Sequence, residues 1–128
     1  VRGWHIVSFP SSWRSFASAL RRSLSLAQVH PPDVGARPGV RVLLLHREKR
    51  GIANERELLD MVRGNGWAAE ALDMGQLSLR EQVKAVGAAH VLVGVHGNGQ
   101  ACAWFLRAGA ALVDIQPHAT TTGGRSPE

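Results

Sequence analysis

At 128 residues the chain is long enough for one domain with a buried core and short for an enzyme that closes over a large substrate. With 45% hydrophobic and 20% charged residues it is set to fold, and it has no apolar run long enough to cross a bilayer as a helix. The net charge of +5 favours anionic ligands without choosing among nucleotide, nucleic acid and membrane surface, while the single cysteine, Cys102, excludes an intrachain disulfide and a cysteine-built metal site.

The chain begins with Val rather than Met and nothing in it reads as a signal peptide, so a fragment or trimmed domain is expected. The apolar stretch Trp4 to Phe9 suits an edge strand or a connector. From Ser11 or Ser12, either of which can cap a helix, Trp13, Phe16, Ala17, Leu20 and Leu24 recur at three- and four-residue steps, an amphipathic helix. Up to Pro32 there are arginines and no acid, as in a transit peptide or a basic surface helix. The cost of exposing Trp13 and Phe16 favours a helix packed on the domain. His30 to Gly39 is a linker by its prolines.

Val40 to Leu45 gives the first strand and runs into the basic loop His46 to Gly51. Asn54 is placed to cap the next helix, with Glu55 and Glu57 in its first turn, and Gly64 or Gly66 ends it. Trp67 to Leu72 reads as a second strand. Ser78 and Glu81 form a capping box for a helix with Leu79, Val83 and Val86 as its buried stripe. Val91 to Val95 is a third strand, His96-Gly97-Asn98-Gly99 a turn, Gln100 to Leu106 a helical segment, and Ala111 to Ile115 a last strand. This order predicts an α/β domain: a Rossmann-like parallel sheet with helices on both faces. The organisation is a lead-in helix and Pro-rich linker at 1–39, the domain at 40–117 and a disordered tail at 118–128.

Ligands of open parallel sheets bind outside the carboxyl ends of the strands, which selects two loops. The first offers Arg47, Lys49 and Arg50; the second offers His96, Gly97, Asn98 and Gly99 at a helix start, where backbone N–H groups favour an anion such as phosphate. A diphosphate between the loops fits. His96 suits a phosphate donor, a general base or a turn residue bonded to backbone. Asn54 suits a helix cap or a ligand contact, and Asp114 either a ribose acceptor or a surface acid paired with an arginine. Burial is expected for Cys102 and Trp104. The histidines show no metal-ligand spacing, and the dinucleotide fingerprint and the P-loop are absent.

Four motifs carry a family resemblance. They are Arg50-Gly51-Ile52-Ala53-Asn54-Glu55; Leu77-Ser78-Leu79-Arg80-Glu81-Gln82; Ala89 to Gly99, with its His-Gly-Asn-Gly turn; and Phe105 to Pro117, with Gly109-Ala110 and Asp114-Ile115-Gln116-Pro117. In this order they resemble the C-terminal half of glycosyltransferase family 61, over roughly Val40 to Pro117. Asn98 stands where the family usually has Ala, Gln100 replaces an apolar residue, Cys102 stands where Asn is common, and Asp114 replaces Glu.

The resemblance implies the nucleotide-sugar-binding domain of a GT-B enzyme that transfers a sugar such as xylose, arabinose or N-acetylglucosamine from a UDP-sugar to a glycan or protein hydroxyl, with inversion. It implies Arg47, Arg50 and the His96 turn at the diphosphate, Asn54 in the same motif and Asp114 at the ribose, with His96 the candidate catalytic group. No tightly bound cofactor is implied, and dependence on a divalent metal stays open. A second, N-terminal domain is expected to supply much of the acceptor site and is a candidate source of the catalytic base, leaving this part inactive alone. The family setting is the Golgi or endoplasmic reticulum lumen in a eukaryote, as a type II membrane enzyme, and the cytoplasm in a bacterium. The rival readings are a non-catalytic nucleotide- or phosphate-binding module and, last, a nucleic-acid binder; nucleic acid is not expected as a partner because the aromatic residues form no stacking platform.

Overall fold

The computed structural model describes residues 11–24 and 39–116. The segment Trp4 to Phe9, the Pro-rich linker and the tail lie outside them. Four strands, β1 (Arg41–Leu45), β2 (Ala68–Leu72), β3 (Val91–Val95) and β4 (Ala111–Ile115), form one sheet in the order β2-β1-β3-β4, every pair parallel. Among the described residues three α-helices accompany it: α1 (Ser11–Ser23), α2 (Glu55–Gly64) and α3 (Leu79–Ala88). The Rossmann-like expectation holds.

Alternation along the strands sorts the core into two layers. Leu43, Leu45, Leu92 and Leu112 face one side, where α3 adds Val83 and Val86 and the segment Asn98–Phe105 adds Cys102, Ala103 and Phe105. Val42, Leu44 and Val93 face the other, packed against Leu58, Leu59 and Val62 of α2. β1 and β3 are central and buried on both faces, which is why they read as continuous apolar runs.

The lead-in helix α1 packs on this domain, although Phe16, expected to be covered, is 48% exposed and the Trp13 side chain lies outside what the structure describes. Leu20 and Leu24 lie against the first layer, and the Arg21 guanidinium donates to the Phe105 carbonyl. At α3 the capping box is complete. The Glu81 carboxylate accepts from the Ser78 N–H at 2.8 Å and the Ser78 hydroxyl accepts from the Glu81 N–H at 3.4 Å, a device that contributes about 1 kcal/mol.

Four local expectations are corrected. Asn54 occupies the N-cap position of α2, but its side chain makes no cap hydrogen bond, its backbone lying outside the extended region a capping side chain needs. Leu79 is 49% exposed rather than part of the stripe, since side chains tilt toward a helix's N-terminus and the first residue overhangs it. The segment after the His96 turn is a 3-10 helix, Asn98–Phe105, closed by bonds such as Gln100 N–H to the Gly97 carbonyl at 3.0 Å. Three residues per turn then put Ala101 and Trp104 outside and Cys102 and Phe105 inside, so Trp104 is 40% exposed against expectation. The Trp104 ring meets Phe16 of α1 edge to face, with centroids 5.8 Å apart.

Candidate functional site

The turn after β3 is built around one carboxylate. Asp114, opposite Gly94 in the β3–β4 register and on the Leu112 side of the sheet, is buried. Its Oδ2 accepts from His96 Nδ1 at 2.9 Å and Gln116 Nε2 at 3.0 Å, and its Oδ1 accepts from Gln100 Nε2 at 2.6 Å. Gln100 also donates to the Gly94 carbonyl at 3.0 Å, and the His96 N–H donates to the Ile115 carbonyl at 2.9 Å, extending the ladder past the strand. Burial raises the Asp114 carboxyl, but the bonds from His96, Gln100 and Gln116 outweigh it and hold the group below the ordinary Asp value. The carboxylate fixes His96 with Nδ1 protonated and Nε2 as the outward nitrogen. His96 is exposed, its side chain at 60%.

Gly97 follows with φ 148°, and a Cβ there would lie 2.9 Å from Arg47 Nη1. Only glycine serves: it takes the positive φ without strain and lets the guanidinium approach the backbone. The Arg47 stem runs on past Gly99, within 3.8 Å of where a Cβ would stand. Arg47 Nη1 is shielded from solvent with no hydrogen-bond partner among the described residues. A buried guanidinium N–H left unpaired is costly to the free chain.

The loop after β1 is tight. Gly51 lies so close to the Arg47 carbonyl that a Cβ would come within 2.4 Å of it, and Arg50 adopts φ 92°, a region that residues with a side chain seldom enter. Arg50, Gly51, Ile52 and Ala53, with Val95 and Ile115 from the ends of β3 and β4, line a mostly apolar cleft of about 390 Å³. It opens at the carboxyl edge of the sheet, as the parallel topology requires.

The chain matches the model of the family described as glycosyltransferase 61 over residues 2–113. It belongs to glycosyltransferase family 61. A search of curated proteins returned no match. The family match begins well before Val40 and ends inside β4, so it takes in α1 as well as most of the sheet, in keeping with the packing of that helix.

Of the residues singled out in this family 61 chain, the fold brings Arg47, His96, Gly97, Gly99 and Asp114 together, and Arg50 borders the cleft. Asn98 opens the 3-10 helix, and Asn54 follows the cleft residue Ala53 in the chain. Asp114, expected at a ribose, faces the chain's own donors with both oxygens. Cys102 is buried, its thiol pushed up to about 11 by burial. Among the described residues no three histidine, cysteine or acidic side chains gather to hold a metal ion.

Sequence reasoning missed three features. Gln100, noted there only as a departure from the family pattern, is the polar strut between the 3-10 helix and Asp114. The apolar cleft is the second, its walls appearing in the sequence only as the strand residues Val95 and Ile115 and the motif residues Ile52 and Ala53. The third is a pair across the first loop: His46 Nδ1 lies 3.0 and 3.1 Å from the two oxygens of Glu55, the first residue of α2. Strand alternation held the signal, since His46 continues the Val42 and Leu44 side, where α2 packs.

Proposed function

We propose that this domain binds the nucleotide-sugar donor of an inverting family 61 transferase, with a UDP-sugar as donor and a glycan or protein hydroxyl as acceptor. The observation that carries the reading is the unpartnered, buried Arg47 Nη1 held against the Gly97–Gly99 turn. In the proposed complex the diphosphate completes that donor, with Arg50 and the first N–H groups of the 3-10 helix around it and the His96 ring at its border. The apolar cleft of Ile52, Ala53, Val95 and Ile115 receives the flat face of the uracil.

The acceptor oxygen attacks the anomeric carbon, the bond to the β-phosphate oxygen breaks and UDP leaves with the electron pair. Cationic and N–H donors stabilise the charge that grows on the leaving phosphate. A second GT-B domain supplies the other wall of the donor site and the acceptor side.

Calorimetric titration with UDP, with ADP and inorganic pyrophosphate as competitors, tests the reading. UDP is expected to bind selectively and Arg47→Ala to weaken it by about 1.5–3 kcal/mol, the scale of a charge-assisted contact. UDP binding no better than pyrophosphate reduces the domain to a phosphate-binding module without nucleotide selectivity.

A further inference from the structure

The donor reading seats a uracil in the apolar cleft and leaves the choice of that base unexplained. Of the side chains lining the cleft only Arg50 is polar, and a guanidinium donates without accepting. Uracil and cytosine share O2, where a donor does not tell them apart. They differ along the next edge of the ring, N3–H and O4 in uracil against a bare N3 and an amino group in cytosine. An acceptor set against N3 reads that difference.

His46 supplies one beside the cleft. Its Nδ1 lies 3.0 Å from Glu55 Oε1 and 3.1 Å from Oε2, so in the neutral ring the carboxylate takes the Nδ1 hydrogen and the lone pair is left on Nε2. Nε2 has no partner among the described residues, and the His46 side chain is 44% exposed. Two connections bring the pair to the cleft. Continuing the β1–β3 register two residues past Leu44↔Val93 sets His46 beside Val95, which pairs with Ile115. These three stand in one row on the α2 side of the sheet, because Leu44, Val93 and Val113, two residues earlier on each strand, all face α2. The Glu55 N–H in turn donates to the carbonyl of Ile52, another wall of the cleft, at 3.2 Å. A flat base lying on Val95 and Ile115 therefore has the imidazole at the edge it turns toward β1.

We propose that His46 Nε2, held as an acceptor by Glu55, selects uracil by accepting a hydrogen bond from its N3–H, an inference that rests on the donor reading above. Cytosine in the same pose turns a lone pair toward a lone pair, and both groups lose their water without gaining a partner. Glu55 never touches the nucleotide and is a positioning residue. Without its carboxylate the imidazole is free to carry its hydrogen on Nε2, which turns the acceptor into a donor and removes the preference. The His46 N–H donates to the Leu72 carbonyl at 2.9 Å, which ties the backbone beneath the ring to the sheet.

Calorimetric titration of the chain with UDP, CDP, ADP and inorganic pyrophosphate tests this, at about pH 8, above the ordinary titration range of histidine. UDP is expected to bind at least about tenfold more tightly than CDP, the scale of one hydrogen bond exchanged for an unpaired polar group. His46→Phe keeps a flat ring without its nitrogens. It is expected to weaken UDP about tenfold and bring it within about threefold of CDP, with the affinity for pyrophosphate unchanged. Glu55→Gln keeps the imidazole and is expected to narrow the UDP-to-CDP ratio by at least about threefold, an effect on tautomer that a purely structural role does not have. UDP and CDP bound alike by the wild type, both more tightly than ADP and pyrophosphate, overturn the proposal and leave the donor reading standing. UDP bound no better than pyrophosphate overturns the donor reading and this proposal with it. Equal losses of UDP and CDP in His46→Phe make the ring a ribose contact or part of the fold and overturn its role in base choice, as does an unchanged ratio in either variant.

Discussion

The turn after β3 and the loop after β1 meet at the same edge of the sheet, yet they hold their polar groups on different terms. In the turn, the Asp114 carboxylate takes three side-chain donors and the one unusual backbone angle falls on a glycine, Gly97. In the loop, the unusual angle falls on Arg50, a guanidinium nitrogen of Arg47 is buried without a partner among the described residues, and Arg50 stands exposed at the cleft. The turn is satisfied within the chain and acts as scaffold. The loop holds strain and one unpaired donor, costs a fold keeps only when something else offsets them.

The comparison is tested first by the substitution with the largest expected effect. Arg47→Ala removes the unpaired donor, and on the donor reading it weakens UDP binding by about 1.5–3 kcal/mol, roughly 10- to 150-fold, in calorimetry. Because Nη1 of the deleted group has no partner among the described residues, the thermal midpoint is expected to move by less than about 5 °C. A large drop in the midpoint with unchanged affinity makes Arg47 scaffold and erases the distinction between the loops.

Asp114→Ala has the opposite signature. It leaves Gln100, Gln116 and His96 without their shared acceptor, and an unsatisfied buried polar group costs about 1–3 kcal/mol, so the chain is expected to melt several degrees lower. Thermal unfolding followed by circular dichroism checks it. If the midpoint holds, the turn's bonds are not what keeps it in place.

Arg50 separates backbone from side chain. Arg50→Gly relieves a φ of 92° while giving back unfolded-state entropy, for a net gain of about 0.5–1 kcal/mol; Arg50→Ala keeps the angle and gains nothing. Both lose the guanidinium and are expected to bind UDP equally weakly. A lower midpoint for Arg50→Gly than for Arg50→Ala means the angle is not strained.

These differences also mark how far the sequence was readable. The strands β3 and β4 and the Ser78–Glu81 box followed from patterns within a few residues: short apolar runs for the two strands, and a cap three residues from its partner. The grouping of Arg47 with the His96 turn followed from a rule of topology. What lay beyond reach depended on contacts made after folding. Gln100 meets Asp114 fourteen residues away, His46 meets Glu55 across a loop, and the tight winding that exposes Trp104 comes with Gln100 held to the Gly94 carbonyl. The backbone angle of Arg50 has no composition signal, since the glycine that such a turn invites stands one place later, at Gly51, where the Arg47 carbonyl demands it.

The smallest effect is the most direct measure of what separates turn from loop. Asp114 is held below its ordinary value: burial raises it, and the bonds from His96, Gln100 and Gln116 more than reverse that. A carboxyl whose folded pKa lies below its unfolded one, about 3.9, contributes stability that is present above that pH and is lost as pH falls through the folded value. Thermal melts of the wild type and Asp114→Asn from about pH 6 downward are therefore expected to converge as acid protonates Asp114 and its Oδ2 ceases to be a charged acceptor for His96. Asp114 shares its acid limb with every other carboxylate, so the difference between the two melting curves, not either curve alone, carries the result. A constant gap across that range means the turn is held by shape rather than charge, and the contrast between satisfied turn and unsatisfied loop then rests on the loop alone.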